Sequence, residues 1–242
     1  NEAGPAVIIS YLIASIPLIP AMFSMAELAT AMPSSGGAYV YIERALGPLF
    51  GTISGIGLWL SLLLKSSFAL VGFGAYFLVL TNISPYYLKY FSIGFLILIM
   101  FLNIFGVKKV GKVQLVIVSL SLLTLLSLLF LGIPAVDKQF LIPFMTNGTM
   151  GLISTVAFVY ISYAGVTKIA AIAGEVKDPS RNIPLAMLLS LLVISSIYVS
   201  VAYTLVGNIQ IDQLAIDIKP IYTLGSLLGG EWFAYGVAII GV

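Results

Sequence analysis

The residues with most chemistry to offer lie in one run, Tyr163-Ala164-Gly165-Val166-Thr167-Lys168. It interrupts the stretch Gly151–Pro184, which begins as an apolar helical pattern long enough to enter a bilayer and ends in GEVKDPSRNIP. Lipid cannot satisfy main-chain N–H and C=O groups released by such a break. A break persists where it lines a protein cavity or holds a solute, as in the broken helices of secondary transporters. The plain alternative is an ordinary helix with a tolerated glycine. Two lysines fall inside apolar segments, Lys65 and Lys168. A charge near the middle of a span costs at least ~2.5–3.5 kcal/mol on insertion scales. Lys65 is therefore either a titratable amine that burial pushes toward neutrality, a candidate for proton coupling, or a fixed charge held by carbonyls or a hydroxyl. Lys168 lies nearer the break, where it faces a cavity or steadies the carbonyl end of a half-helix. A third group, Glu27, Glu175, Lys177, Asp178 and Arg181, sits at span ends. It reads as solvated loop and structural contacts or as ion pairs of a gate.

Composition decides the class in which this chemistry operates. The chain has 242 residues, 60% of them hydrophobic and 8% charged, with a mean hydropathy of +1.14. That much apolar surface requires a polytopic membrane protein. With no cysteine and no histidine, disulfides, thiol chemistry and the commonest general base and metal ligand are all excluded. Proton handling falls to carboxylates, Lys or Tyr, no metal set is expected, and an intramembrane enzyme lacks its usual parts. The net charge of +2 gives no reason to expect nucleic acid. Gly36 and Gly37 are turn residues; no Walker-type G-K-[ST] follows them. Asn1-Glu2-Ala3-Gly4-Pro5 carries neither an initiator Met nor a signal-peptide n-region. The run Val237–Val242 is too short to span, so the sequence reads as part of a longer chain.

The elements that must position these residues follow in order. Spans are expected over Pro5–Leu28, with Pro17 and Pro20 inside, then Gly51–Leu80, Tyr86–Phe105, Val113–Ile133, the broken Gly151–Pro184 and Leu185–Val206. A basic link, Gly106–Lys112, joins the third and fourth. A long loop, Gly207–Glu231, precedes a last span opened by Trp232. Arg44, Lys108, Lys109, Lys112, Lys177 and Arg181 fall on one side; Lys89, Lys138 and Lys219 fall on the other. The positive-inside rule makes the first side cytoplasmic. The sequons at Asn82 and Asn147 then lie outside, though such short motifs arise often by chance.

Three stretches carry a resemblance. Glu27-Leu28-Ala29-Thr30-Ala31-Met32-Pro33-Ser34-Ser35-Gly36-Gly37-Ala38-Tyr39-Val40-Tyr41 is similar to the E-L-x-x-x-x-P-x-x-G-G-x-Y-x-Y pattern of the amino acid–polyamine–organocation (APC) superfamily. Gly174-Glu175-Val176-Lys177-Asp178-Pro179-Ser180-Arg181-Asn182-Ile183-Pro184 resembles its E-V-K-N/D-P-x-R-N-I-P pattern. Ala3-Gly4-Pro5-Ala6 resembles the start of the superfamily's second helix. The resemblance implies an all-α polytopic membrane protein with the leucine-transporter-like fold of 5+5 inverted repeats, of which helices two to seven and the start of eight are present. Residues 1–135 then hold the remainder of the first repeat, helices two to five; residues 136–242 begin the second, with broken helix six, helix seven and the start of eight. Substrate in that fold lies at the interface of broken helices one and six, which places Tyr163, Ala164, Gly165, Val166 and Thr167 at the site. Val166 stands where many members carry a bulky aromatic and Thr167 where several carry an acid, so a neutral or apolar amino acid is expected. The implied protein is a multi-pass permease of the cell membrane working by alternating access on a small-molecule amino acid or amine. It needs no cofactor, and Lys65, from the reading of the residues above, makes coupling to H+ expected ahead of Na+. Ion-independent exchange and a non-transporting sensor on the same fold remain open alternatives, and the oligomeric state is left unassigned.

Overall fold

A computed structural model describes residues 2–32, 36–81, 84–104 and 107–241. Pro33–Ser35 of the first motif and Asn82-Ile83 of the first sequon lie outside the described residues. Every regular element among the described residues is helical: α1 (Val7–Ser15), α2 (Leu18–Ala31), α3 (Ala38–Leu46), α4 (Pro48–Thr81), α5 (Leu88–Ile104), α6 (Val107–Gly132), α7 (Gly148–Tyr160), α8 (Pro179–Asn208), α9 (Ile211–Ile216) and α10 (Pro220–Gly241), with short 3₁₀ segments between. Among the described residues six helical stretches are long and apolar enough to cross a membrane: Gly4–Ala31, Pro48–Thr81, Val113–Gly132, Gly148–Glu175, Pro179–Asn208 and Pro220–Ile240. The protein is thus all-α and polytopic. The span expected over Tyr86–Phe105 is shorter, its apolar helical part being Leu88–Phe101.

Two further boundaries differ from the sequence reading. Residues 107–112 of the basic link between the third and fourth spans belong to the opening turns of α6, and Gly106 lies outside the described residues. Lysine is a good helix former, so a charged run marks the side of the membrane and does not end a helix. The stretch Gly207–Glu231 is no loop: it holds the end of α8, all of α9 and the first arm of α10. Gly230, at φ 75° and ψ −177°, then bends α10. A Cβ on Gly225 would lie 3.3 Å from Val237 Cγ2 and 3.4 Å from Ala234 Cα. The two arms therefore fold back on each other, and the second arm starts beside Trp232, where the last span was expected.

The prolines act as expected in the first span. Pro17 has no N–H for the Ile13 carbonyl, which accepts instead from Ile16 N–H at 3.2 Å; Pro20 has none for Ile16, whose carbonyl accepts from Ile19 N–H at 3.1 Å. The helix breaks into α1 and α2 without leaving those carbonyls bare.

The chain forms two compact units, each drawn from separated stretches: Asn1–Leu64 with Ile142–Tyr203, and Lys65–Leu141 with Thr204–Val242. The first has a core of Ala14, Leu18, Met22, Ala26 and Ala29 from α1 and α2, with Tyr163, Val166, Ala170 and Ala173 from the broken span and Ile183, Met187 and Leu191 from α8. Small residues along α2 and the broken span let the two backbones approach, the usual means of packing helices in lipid. The second unit is centred on Leu128, Ile209, Leu224 and Val237, with Phe73 stacked on Phe95 at 4.3 Å between α4 and α5.

Candidate functional site

The break falls where the sequence places it. α7 ends at Tyr160, a 3₁₀ turn covers Ile161–Tyr163, and Ala164 and Gly165 form a turn. A tighter 3₁₀ arm, Val166–Glu175, follows. Ten residues of 3₁₀ geometry are unusual, since runs beyond three or four residues are disfavoured, and the arm is itself kinked at Ile172 (φ −105°, ψ 16°). Gly165 has φ −77° and ψ −26°, values open to any residue, so the turn does not demand a glycine. A Cβ there would meet nothing within 4 Å among the described residues. What the glycine provides is an uncovered main chain.

The five residues expected at the site divide by direction. Tyr163 is fully buried and Val166 nearly so, both within the core shared with α1, α2 and α8. Thr167 is half-buried, and Ala164 and Gly165 are exposed. Among the described residues the Gly165 N–H and the Ala164 carbonyl make no backbone hydrogen bond. One free donor and one free acceptor thus stand on adjacent exposed residues. Phe158 and Ile161, both strongly exposed, precede them and carry no charge.

Tyrosines tie this bend to its neighbours. Tyr163 OH donates to the Tyr11 carbonyl at 3.0 Å, and Tyr198 OH lies 3.4 Å from the Ser162 carbonyl. Their rings and that of Tyr11 meet pairwise, with centroids 5.3 to 6.4 Å apart. Each comes from a different segment, α1, the break and α8, so the trio joins all three at the level of the bend. Sequence reasoning named Tyr163 but passed over Tyr11 and Tyr198. The signal was available, since a tyrosine inside an apolar span needs a partner for its hydroxyl.

Lys168 is half-buried and its N–H donates to Gly165 O at 3.2 Å, one 3₁₀ turn after the bend. Lys65 lies near the middle of α4 with its side chain exposed. Glu27, Glu175, Lys177, Asp178 and Arg181 are exposed as well. Glu175 closes the 3₁₀ arm, and Lys177, Asp178 and Arg181 belong to one helix start. Asp178 takes a left-handed φ of 47°, which Asp and Asn tolerate better than other side chains. Its carbonyl accepts from Arg181 and Asn182 N–H at 3.1 and 3.0 Å. Asn182 Nδ2 reaches back to the Lys177 carbonyl at 2.6 Å, and Pro179 opens α8 where its missing N–H is harmless. The second motif is therefore a device for starting α8.

The first motif meets the other end of the arm. Gly36 N–H donates to Ala171 O at 3.3 Å and Tyr41 OH to Ala170 O at 3.4 Å. Burial pushes the Tyr41 phenol above its ordinary value of 10.0. Near the outer end, Glu2 accepts from the Ser154 hydroxyl of α7. A Cβ on Gly151 would come within 2.2 Å of the Glu2 carbonyl. Nothing in the sequence pointed to that pair.

Residues 1–242 match the family model described as amino acid permease. The chain is 30% identical to an uncharacterised protein of Methanocaldococcus jannaschii over 90% of this chain and 53% of that protein. It is 29% identical to a branched-chain amino acid permease of Bacillus subtilis (99% and 55%). Cationic amino acid transporter 5 of Arabidopsis thaliana is 27% identical (99% and 44%). The chain spans about half the length of the curated relatives it matches.

Proposed function

Since the chain belongs to the amino acid permease family, we propose that the full-length protein carries neutral amino acids across the cell membrane by alternating access, driven by H+. The observation that carries this reading is the bend at Ala164–Gly165. Its free carbonyl suits an α-ammonium group and its free N–H suits a carboxylate, both on an exposed turn. The neighbouring Phe158 and Ile161 offer apolar contact and no countercharge for a cationic side chain. The branched-chain permease among the relatives supports the same substrate class, while the plant transporter is named for cationic substrates.

Uptake of labelled amino acids into proteoliposomes bearing the full-length protein tests this reading. Accumulation of leucine or a similar neutral amino acid under an inward proton gradient is the expected result. Preference for arginine overturns the substrate class. Uptake that depends only on internal amino acid makes the protein an exchanger. Two amines compete for the proton, and Lys65→Met and Lys168→Met separate them. The variant that keeps exchange but loses gradient-driven accumulation identifies the carrier.

A further inference from the structure

The two glycines and the tyrosine that end the first motif take no part in binding at Ala164–Gly165, yet they converge on one place in the inner arm. Gly36 N–H and Tyr41 OH donate to the consecutive carbonyls of Ala171 and Ala170. The next residue, Ile172, is the one that leaves helical geometry. A kink weakens the in-line bonds available to the carbonyls before it, and inside a membrane protein those carbonyls need other donors. Gly36 and Gly37 have φ of 133° and 66°, a region that glycine enters without strain. A Cβ on Gly37 would lie 3.2 Å from Ala171 Cβ and 3.3 Å from its Cα, so the Gly37 main chain packs against Ala171 with little room for a side chain of its own. Tyr41 is 3% exposed and packs in the same core as Ala170 and Ala173.

We propose that Gly36, Gly37 and Tyr41 are positioning residues that clasp the inner arm, so that α3 and Val166–Glu175 move as one body when the inner mouth opens and closes. The clasp rests on the transport reading for the first readout and for the leucine arm of the second, and the Tyr41→Phe comparison stands apart from it.

In the full-length protein freed of other cysteines (these 242 residues have none), Gly37→Cys is paired with Ala171→Cys. Oxidation to the disulfide is expected to leave solute exchange within about twofold of the reduced form, because a bond inside one rigid body costs the cycle little. Exchange that stops on oxidation and returns with reductant overturns the proposal. A cysteine at positive φ can itself prevent folding, so a second measurement uses spin labels at Arg44→Cys on α3 and Glu175→Cys at the end of the arm, both exposed. The expected result is a narrow distance distribution that added leucine does not move and that Tyr41→Phe broadens. A peak that shifts with leucine, or stays equally sharp in Tyr41→Phe, overturns the clasp. The Tyr41→Phe comparison needs no transport, so a parent protein that moves no amino acid sinks the transport reading and leaves the clasp to be judged separately.

Discussion

At Gly165 and Gly37 the same residue type does opposite work. Gly37 has a left-handed φ and backbone against its Cβ position; Gly165 has an ordinary φ and open space. Gly165→Ala is therefore expected to leave thermal stability unchanged or slightly raised, by up to about 1 kcal/mol, because alanine loses less freedom on folding. If the turn meets solute, the added methyl also raises the apparent KM about tenfold or more, since misplacement near a bound solute is costly. Thermal unfolding in detergent and uptake kinetics on the same preparation read the two effects separately, and an unchanged KM argues against solute at this turn. Tyr41 gives a pH test. Its folded-state phenol is raised above 10.0 by burial, so its contribution to stability is complete below pH 10.0 and is lost as pH rises through the folded value. The stability difference between wild type and Tyr41→Phe should be constant at neutral pH and shift against the wild type only above about pH 10. A difference that begins to change near pH 8 contradicts this.

At the scale of elements, legibility followed chemistry that acts along the chain. Pro17 and Pro20 delete specific N–H groups, so the break between α1 and α2 could be read directly. The pause at Tyr163–Lys168 was visible as polar groups in an apolar run. The fold-back of α10 was not visible, because Gly229-Gly230 reads as a flexible loop until Ala234 and Val237 are seen against Gly225. The contact of the first motif with Ala170 and Ala171 was equally hidden, since it joins residues 129 apart in the chain. Two substitutions probe element packing. A Cβ on Gly132 would fall 2.2 Å from Thr204 Cγ2, and Thr204 is fully buried. Gly132→Ala should therefore destabilise the protein by about 1–3 kcal/mol, the usual range for overpacking, read as a lower midpoint in thermal unfolding. Asn182→Ala removes the bond to the Lys177 carbonyl and should cost about 1 kcal/mol, with Asn182→Asp failing to restore it because a carboxylate cannot donate.

On the scale of the whole molecule, composition alone set the class, and the positive-inside rule predicts an orientation with Asp178 and Arg181 inside and Asp137 and Lys138 outside. What composition could not supply is closure of the site. The bend offers one free donor and one free acceptor, both on exposed residues, whereas small-molecule sites bury most of a ligand's surface, about 70–90% for drug-sized ones. Two main-chain contacts facing open space do not hold a zwitterion against water, because each exchanges for a solvent bond at a net gain of only about 0.5–1.5 kcal/mol. Burial must come from further surface, and the chain spans about half the length of its relatives. The 242 residues in nanodiscs are therefore expected to bind leucine at least about a hundredfold more weakly than the full-length protein, or without measurable affinity. A hundredfold is about 2.8 kcal/mol, within the ~1.5–3 kcal/mol that burying a leucine side chain supplies. Equilibrium binding of labelled leucine to both preparations checks this. Equal affinity in the two means that the enclosing surface already lies within these residues, and the bend at Ala164–Gly165 then yields its place as the solute site to a more enclosed part of the same chain.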